Sequence, residues 1–171
     1  KDYDLVNLDG IALYEKEYKN IGKPDGPILK KINAFKFNLV WLNHKKEIHR
    51  KNQPAIIQTN GKCTYLENNL KHNIKGPSII HPEDRSLYWC FKNKAHRIGG
   101  FSSFRPKYNS YSLYVDGKKF EKIDEYIKAC HKWIIEHYTA HDSLTEFEKL
   151  DEIYRMGYLH AKNWENGIFK K

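Results

Sequence analysis

The spacing of hydrophobic and polar positions changes near residue 120. Before it, apolar pairs such as Ile56-Ile57 and Ile79-Ile80 begin short runs that are separated by turn residues. This pattern is typical of β-strands joined by tight turns. After it, apolar residues recur at intervals of three and four from about 121 to 139, which predicts a helix. We therefore predict an α+β fold, with an antiparallel β-hairpin meander over residues 1–120 and a helical tail over residues 121–171.

The tail carries the signature of a second helix. Ser143-Leu-Thr-Glu146 reads as a capping box, in which the Ser and Glu side chains satisfy free backbone N–H groups at a helix start. Gly157 lies near the expected end of this helix, and we expect residues 158–164 to add a further helical turn. We expect the helices to pack on the last hairpins as a cap.

The strand region contains a degenerate repeat of about two dozen residues, and such periodicity is the mark of a repeat architecture. Each of three copies begins with an aromatic residue, continues through a turn to a histidine, and places a proline (Phe101 in the third copy) five residues later. Partial copies precede and follow, so we predict seven to nine strands over residues 10–120. The residues assigned to building the repeat are Trp41, Tyr65, Trp89, Tyr114, Pro27, Pro54 and Pro77.

Tight turns are predicted at regular positions of the repeat. Asn60-Gly61 and Asp116-Gly117 are strong hairpin signals, because both central residues of a type I′ turn need positive φ and these residue types tolerate it. Further turns are expected at Asn68-Asn69, near Lys92-Asn93 and over residues 82–84. The strands between these turns should alternate, with the repeated aromatic residues in the buried ladder.

Composition fits one domain, or one domain with an appendage. Of the 171 residues, 40% are hydrophobic and 14% aromatic, which is enough for a packed core rather than a disordered chain. The net charge of +9 is uneven, since residues 1–120 hold 22 basic and 11 acidic residues while residues 121–171 hold 8 and 10. A basic surface suits phosphates or an acidic protein partner. Alternatively, the lysines simply keep the sheet edges soluble.

Cysteine usage and hydropathy bear on the cellular setting. Cys63, Cys90 and Cys130 form no CxxC pair, and strand alternation puts Cys63 and Cys90 on opposite faces, so they are poor disulfide partners. A reducing cytoplasm is the simplest location. No stretch approaches the roughly 20 apolar residues that a membrane-crossing helix needs, so no membrane association is predicted.

The repeat resembles a known family. Its pattern of aromatic, turn, His-Arg and Gly-Pro-Ala, repeated over residues 22–120, is similar to the MORN-like repeat proteins of bacteriophages and bacteria. The copies depart from this pattern at Gln53, Asn73, Ser78 and Phe101. The resemblance implies a hairpin-repeat sheet and a phage or prophage origin, hence the cytoplasm of a bacterial host. It supplies no catalytic residues.

Three histidines are the candidates for chemistry: His49, His72 and His96 share one position of the repeat. Equivalent strands of adjacent repeats should lie two strands apart, at roughly 9–10 Å, whereas zinc needs its ligand nitrogens at about 2.0–2.1 Å from one ion. These residues could instead serve acid–base chemistry in a nuclease, which needs no sequence motif. The alternative is structural: each His ends a strand and hydrogen-bonds the next corner.

The other motifs of the sequence favour a non-enzymatic protein. His137 and His141 are one helical turn apart and Cys130 could join them, yet helix-end histidines more often contact terminal carbonyl groups. The chain has no nucleophile elbow, P-loop or dinucleotide fingerprint. We predict no cofactor and no metal.

Our leading hypothesis is an interaction protein that binds a host macromolecule through a basic sheet face, possible roles being inhibition or counter-defence. The candidate binding residues are Arg50, Lys51, Lys71, Lys75, Arg97 and Arg105. One alternative is a nucleic-acid-binding protein or His-dependent nuclease, with cations following a phosphate backbone. Another is a virion structural component.

Overall fold

A computed structural model describes residues 10–23, 25–73 and 75–138. It confirms the α+β class, with antiparallel strands and two helices. The second helix of the tail, predicted from Ser143, lies outside the described residues. In chain order the elements are α1 (Gly10–Tyr18), β1 (Ile28–Lys31), β2 (Phe37–Val40), β3 (Ile56–Gln58), β4 (Cys63–Thr64), β5 (Leu66–Glu67), β6 (Leu70–Lys71), β7 (Ile79–His81), β8 (Ser86–Tyr88), β9 (Cys90–Phe91), β10 (Lys94–Ala95), β11 (Ser103–Arg105), β12 (Ser110–Val115), β13 (Lys118–Phe120) and α2 (Ile123–Tyr138).

The chain divides into two compact units. The first holds the described residues as far as Lys94 together with Ser103–Tyr111, and the second holds Ala95–Ser102 and the described residues from Ser112 onward. The boundary predicted at residue 120 stays a prediction, because residues 139–171 are outside the described part.

In the first unit the main sheet has the order β1-β2-β3-β4-β7-β8-β11, and neighbouring strands in it pair antiparallel. An apolar row crosses it in register, residue opposite residue. The row consists of Leu29, Leu39, Ile57, Cys63, Ile80, Leu87 and Phe104. Its middle members are buried with Trp41 in one core cluster. Cross-strand apolar pairs of this kind fix the register of a sheet, since a slip of one residue would expose them.

The meander differs from the predicted one in that β5–β6 and β9–β10 leave the main sheet as separate two-stranded hairpins. The second and third repeats therefore contain four short strands each, and the described residues hold 13 strands rather than the predicted seven to nine. The chain turns at the aromatic position: Tyr65 N–H donates to Ser78 O (2.8 Å), whereas Tyr65 O accepts from His72 N–H (3.2 Å). One residue thus bonds to the sheet on one side and to the hairpin on the other.

The small hairpins stack through their turns. Asn69 N–H donates to Ile48 O (2.9 Å), and Ile48 N–H donates to Asn69 Oδ1 (2.8 Å). Asn93 and Lys71 make the same pair of bonds, at 2.9 and 2.7 Å. The predicted turns at 68–69, 92–93 and 116–117 all have positive φ at both central residues, as a type I′ turn requires.

The turn at Asn60-Gly61 is of another kind. Only Gly61 has positive φ (79°) there, and Gly61 N–H donates to Gln58 O at 2.9 Å. This is a three-residue loop in which a type I turn ends in a left-handed residue. Type I′ was wrong at this position, because the loop has one residue more than the two that such a turn connects.

A helix occupies residues 10–18, where we expected sheet. Residues 12–17, Ala-Leu-Tyr-Glu-Lys-Glu, contain good helix formers and no turn signal. Leu13 and Tyr14 pack against the core cluster of the first unit. The burial of these side chains holds α1 on the sheet, which a search for strand alternation does not reveal.

The second unit is organised around the predicted helix, observed as α2 and confirmed there. Tyr126 is buried, and its hydroxyl donates towards Arg97 O (2.7 Å) and Gly100 O (3.0 Å) and accepts from Gly100 N–H (2.9 Å). Burial raises the pKa of this hydroxyl, so it remains protonated. The side chain therefore fastens the loop before Phe101 to α2.

We expect Asn69→Ala to lower the free energy of unfolding by about 2–3 kcal/mol, because it removes the acceptor for Ile48 N–H and puts Ala, which tolerates positive φ less well than Asn, in the left-handed region. Asn69→Gly is the matched control: it loses the same acceptor but tolerates φ of 65°, so its cost should be about 1 kcal/mol. Urea unfolding of both variants measures the difference. Equal losses would contradict the role of the turn conformation.

We expect Tyr126→Phe to lower the free energy of unfolding by about 2 kcal/mol, since the change leaves the partly buried Gly100 N–H without its acceptor. Tyr108→Phe, at a half-exposed ring, should change it by less than about 0.5 kcal/mol. Thermal or urea unfolding provides the comparison. A Tyr126→Phe variant as stable as the wild type would show that the loop is held by other contacts.

Candidate interaction surface

The stacked hairpins place lysines along one edge of the first unit, which we call the turn edge. It is formed by the loop at residues 43–47 and by the turns at 68–69 and 92–93. The turn bonds between Asn69 and Ile48, and between Asn93 and Lys71, hold these three hairpins side by side. The exposed lysines at or beside these turns are Lys45, Lys46, Lys71, Lys92 and Lys94.

Acidic groups on the turn edge are less accessible than its lysines. Glu47 and Glu67 are half-buried, and Glu47 Oε2 accepts a hydrogen bond from Asn43 Nδ2 at 2.9 Å. Asn43 Oδ1 in turn accepts from the N–H groups of Lys45 and Glu47, at 2.9 and 3.0 Å. This network fixes the first loop with its lysine side chains outward. The turn edge therefore carries exposed lysine side chains on a backbone whose conformation is fixed by hydrogen bonds.

Of the predicted binding residues, the arginines are engaged inside the protein. Arg50 Nη2 lies 3.4 Å from Glu17 Oε1 of α1, and its Cζ lies 3.9 Å from the centre of the Trp41 ring. Arg50 thus links the helix to the sheet. The Glu17–Arg50 pair is partly buried, which makes it a structural contact rather than an open cation.

Arg97 and Arg105 have similar internal contacts. Arg97 Nη1 donates to Phe101 O at 3.2 Å, within the loop that Tyr126 fastens. Arg105 Cζ lies 4.6 Å from the centre of the Tyr108 ring. The predicted lysines differ, since Lys51, Lys71 and Lys75 are all exposed. The structure therefore places lysines, and not the repeat arginines, where a partner can reach them.

The three repeat histidines each contact the hairpin that follows them. His49 Nδ1 accepts from Asn68 N–H (3.2 Å), and His96 Nδ1 accepts from Asp116 N–H (3.0 Å). His72 lies against Phe91 with ring centres 4.9 Å apart, and its buried Nδ1 has no hydrogen-bond partner among the described residues. His49 and His96 thus bond the turn that follows, in the way the structural interpretation describes, whereas His72 contacts the next hairpin through its ring and does not make the expected Nδ1 hydrogen bond.

No shared metal site unites these side chains. Within the described ranges, no three His, Cys, Asp or Glu residues come together in a way that could hold a metal ion. The cysteines Cys63, Cys90 and Cys130 are free thiols, and burial raises the pKa of Cys63 to about 12. A thiol with a raised pKa is protonated at neutral pH and is a poor nucleophile.

His96 is the most buried of the three. It is buried, and its ring centre lies 4.3 Å from that of Trp133, which in turn stacks on His137 at 4.1 Å. Burial lowers the pKa of His96 to about 4, with a smaller upward influence from Asp116 and a further lowering by His137. The ring is therefore neutral at pH 7, and the lone pair of Nδ1 accepts the hydrogen bond from Asp116 N–H.

Several accessible groups were not singled out from the sequence. Lys92 and Lys94 lie in or next to the turn predicted near 92–93, and Lys45 and Lys46 lie between the aromatic residue and the histidine of the first copy, where the repeat has its turn. These positions are the signal that could have identified them. Phe35, the most exposed large apolar residue described, lies in the loop after β1, outside the repeat pattern.

Because the folded-state pKa of His96 is below its ordinary value, its neutral form stabilises the fold above about pH 6.5, and this contribution is lost as pH falls towards 4. Lowering the pH from 7 to 4 should reduce the free energy of unfolding of both proteins. We expect this reduction to be about 2 kcal/mol smaller in His96→Asn than in the wild type. Urea unfolding across this range measures it. His44→Asn, at an exposed position, is the control and should follow the wild type. Parallel curves for wild type and His96→Asn would contradict the assignment.

Comparisons with protein-family models, with curated proteins and with solved structures give no match for this chain. Within the described residues, no helix is both long and apolar enough to cross a bilayer. The candidate surface therefore rests on its own geometry.

Proposed function

We propose that this chain is a non-enzymatic interaction protein whose turn edge binds an acidic surface of a host protein. The observation that carries this proposal is the exposure of lysines at three consecutive stacked turns, while the repeat arginines and histidines hold the fold together. Fixed cations of this kind favour acidic partners by increasing the rate of encounter and by excluding basic ones.

The contacts favour a protein over a nucleic acid. Proteins that bind single strands combine cationic grooves with aromatic rings on which bases stack. Here Trp41 is buried, and Tyr65 and Trp89 are half-buried. Arg50, which could bind phosphate through two nitrogens, is paired with Glu17. A lysine edge with few open rings is better matched to carboxylates.

The resemblance of the repeat to MORN-like proteins of bacteriophages and bacteria makes a bacterial cytoplasm the natural setting. In that setting an encoded inhibitor or counter-defence factor would act by covering a host surface, and it would need no catalytic residues. Binding of nucleic acid, His-dependent cleavage, and incorporation into the virion are the competing interpretations that an experiment must separate.

The test uses the full-length tagged chain as bait in a bacterial lysate, with and without nuclease treatment, followed by titration of the purified partner. We expect a protein partner whose capture survives nuclease and whose affinity falls at least about tenfold in Lys45→Glu/Lys71→Glu. The control Lys16→Glu/Lys128→Glu changes the same charge at exposed sites on α1 and α2, and it should shift affinity by less than about twofold.

Three outcomes would overturn the proposal. Capture that disappears after nuclease treatment, with binding that weakens steeply with salt, would support the nucleic-acid interpretation. Cleavage of nucleic acid that is lost in His49→Ala would support an enzyme. Equal affinities for the two double variants would show that the turn edge is not the binding surface.

A further inference from the structure

The first strand forms an open edge of the main sheet. Among the described residues, β1 pairs on one side with β2, and all four of its side chains are exposed. An edge strand has unpaired N–H and C=O groups on its outer side, and these are a template for another strand. We call β1 and the loop that follows it, residues 28–36, the β1 edge.

The two rows of the sheet end at this edge without cover. The apolar row that is fully buried at Leu39 and Ile57 ends at Leu29, which is 40% exposed. A neighbouring row runs from Ile56 through Val40 to Ile28, which is 51% exposed. Both rows would continue if an aliphatic residue lay opposite Leu29 and another opposite Ile28.

Hydrogen bonds within the loop after β1 hold an aromatic ring in an exposed position. Asn33 Oδ1 accepts from Phe35 N–H (3.0 Å) and Lys36 N–H (2.9 Å), and Ile32 N–H donates to Lys36 O (2.9 Å). Phe35 is nevertheless 89% exposed. A ring that an ordered turn holds in water is a suitable anchor for a partner, because little further ordering is needed on binding.

The charges at this edge have one sign. Lys30, Lys31 and Lys36 are exposed, and no acidic residue occurs between Asp25 and Glu47. Lysines on an edge strand oppose pairing with a second copy, since two such edges would bring like charges together. A strand with carboxylates opposite Lys30 and Lys31 would instead relieve this repulsion.

From these observations we propose that the β1 edge binds an extended segment of a partner protein, which adds to the sheet as an antiparallel strand. Read from its N-terminus, the partner segment has two acidic residues, the first opposite Lys31 and the second opposite Lys30. Two aliphatic residues come next, opposite Leu29 and then Ile28. This surface goes beyond the turn edge and is independent of it. The main-chain hydrogen bonds give affinity, while the acidic and aliphatic positions give specificity.

The probe is a fluorescein-labelled peptide, Thr-Leu-Glu-Glu-Val-Ile-Thr, titrated with the full-length protein by fluorescence anisotropy. We expect saturable binding, and slower hydrogen exchange of the backbone amides in residues 28–36. Two control peptides test the mode of binding: one has Lys in place of both Glu residues, and the other carries an N-methyl group on the central Glu-Val amide. Each should bind at least about tenfold more weakly, because the first loses charge complementarity and the second a strand hydrogen bond.

Variants of the protein locate the site. Phe35→Ser and Lys30→Glu/Lys31→Glu should each weaken binding of the probe by about tenfold. The control Lys16→Glu/Lys128→Glu and the turn-edge variant Lys45→Glu/Lys71→Glu should stay within about twofold of wild type. Circular dichroism and the unfolding midpoint verify that each variant is folded, and Phe35→Ser is expected to unfold normally because its ring is in water.

Equal binding of the N-methylated peptide, or of Phe35→Ser, would overturn this proposal. A concentration-dependent dimer in sedimentation analysis that Phe35→Ser abolishes, without binding of the probe, would overturn it in favour of a second copy as the occupant. Failure of the probe leaves the proposed function of the turn edge standing, because that surface is tested by Lys45→Glu/Lys71→Glu with its own partner.

Discussion

The reciprocal hydrogen bonds between each tight turn and the hairpin before it are the constraint on which the repeat depends. Asn69 and Asn93 each use the backbone N–H and the side-chain oxygen to bind one residue of the preceding hairpin. Gly117 has no side chain, and it keeps only the backbone bond, to Ala95 O at 2.8 Å. The turns therefore do two tasks, reversing the chain and setting its distance from the previous hairpin.

A second requirement is a small residue where the sheet and the hairpins meet. Ala55, Ser78 and Ser102 occupy this position, and all are almost completely buried. The two serines compensate for their polarity, since Ser78 Oγ donates to Tyr88 O and Ser102 Oγ to Tyr114 O. These positions leave little freedom for the side chains involved. We therefore assign the proposed interactions to the exposed lysine side chains of the turn edge and to the residues of the β1 edge.

Features set by short-range chemistry could be predicted from the sequence. The turn at Asn68-Asn69 follows from residue types that tolerate positive φ, and α2 follows from its apolar spacing. The aromatic ladder was less predictable: Trp41 is buried, whereas Tyr65 and Trp89 are only half-buried. Their exposure depends on neighbouring strands that local pattern does not specify.

The candidate site was predictable only in outline. The excess of basic residues before residue 120 indicated a cationic surface, but sequence could not distinguish engaged from open cations. Arg50 is engaged because Glu17, 33 positions earlier, is brought next to it by the packing of α1. Phe35 is exposed because its loop is ordered by hydrogen bonds to the Asn33 side chain and does not fold over the ring. Both facts depend on tertiary contacts or loop geometry rather than on residue type.

The small hairpin of the first repeat copy has a loop one residue longer than that of the second copy. In the first copy Leu42 pairs with Ile48, and in the second Leu66 pairs with Lys71. The loop between the two main-sheet strands of the first copy is one residue shorter than the corresponding loop of the second copy. Ile57 pairs with Cys63 in the first copy, and the equivalent Ile80 pairs with Leu87 in the second. The two differences cancel, so Trp41, Tyr65 and Trp89 keep equal spacing although the histidines do not. In genetic terms, a one-codon insertion in one loop combined with a one-codon deletion in the other loop of the same repeat preserves the 24-residue spacing of the aromatic positions.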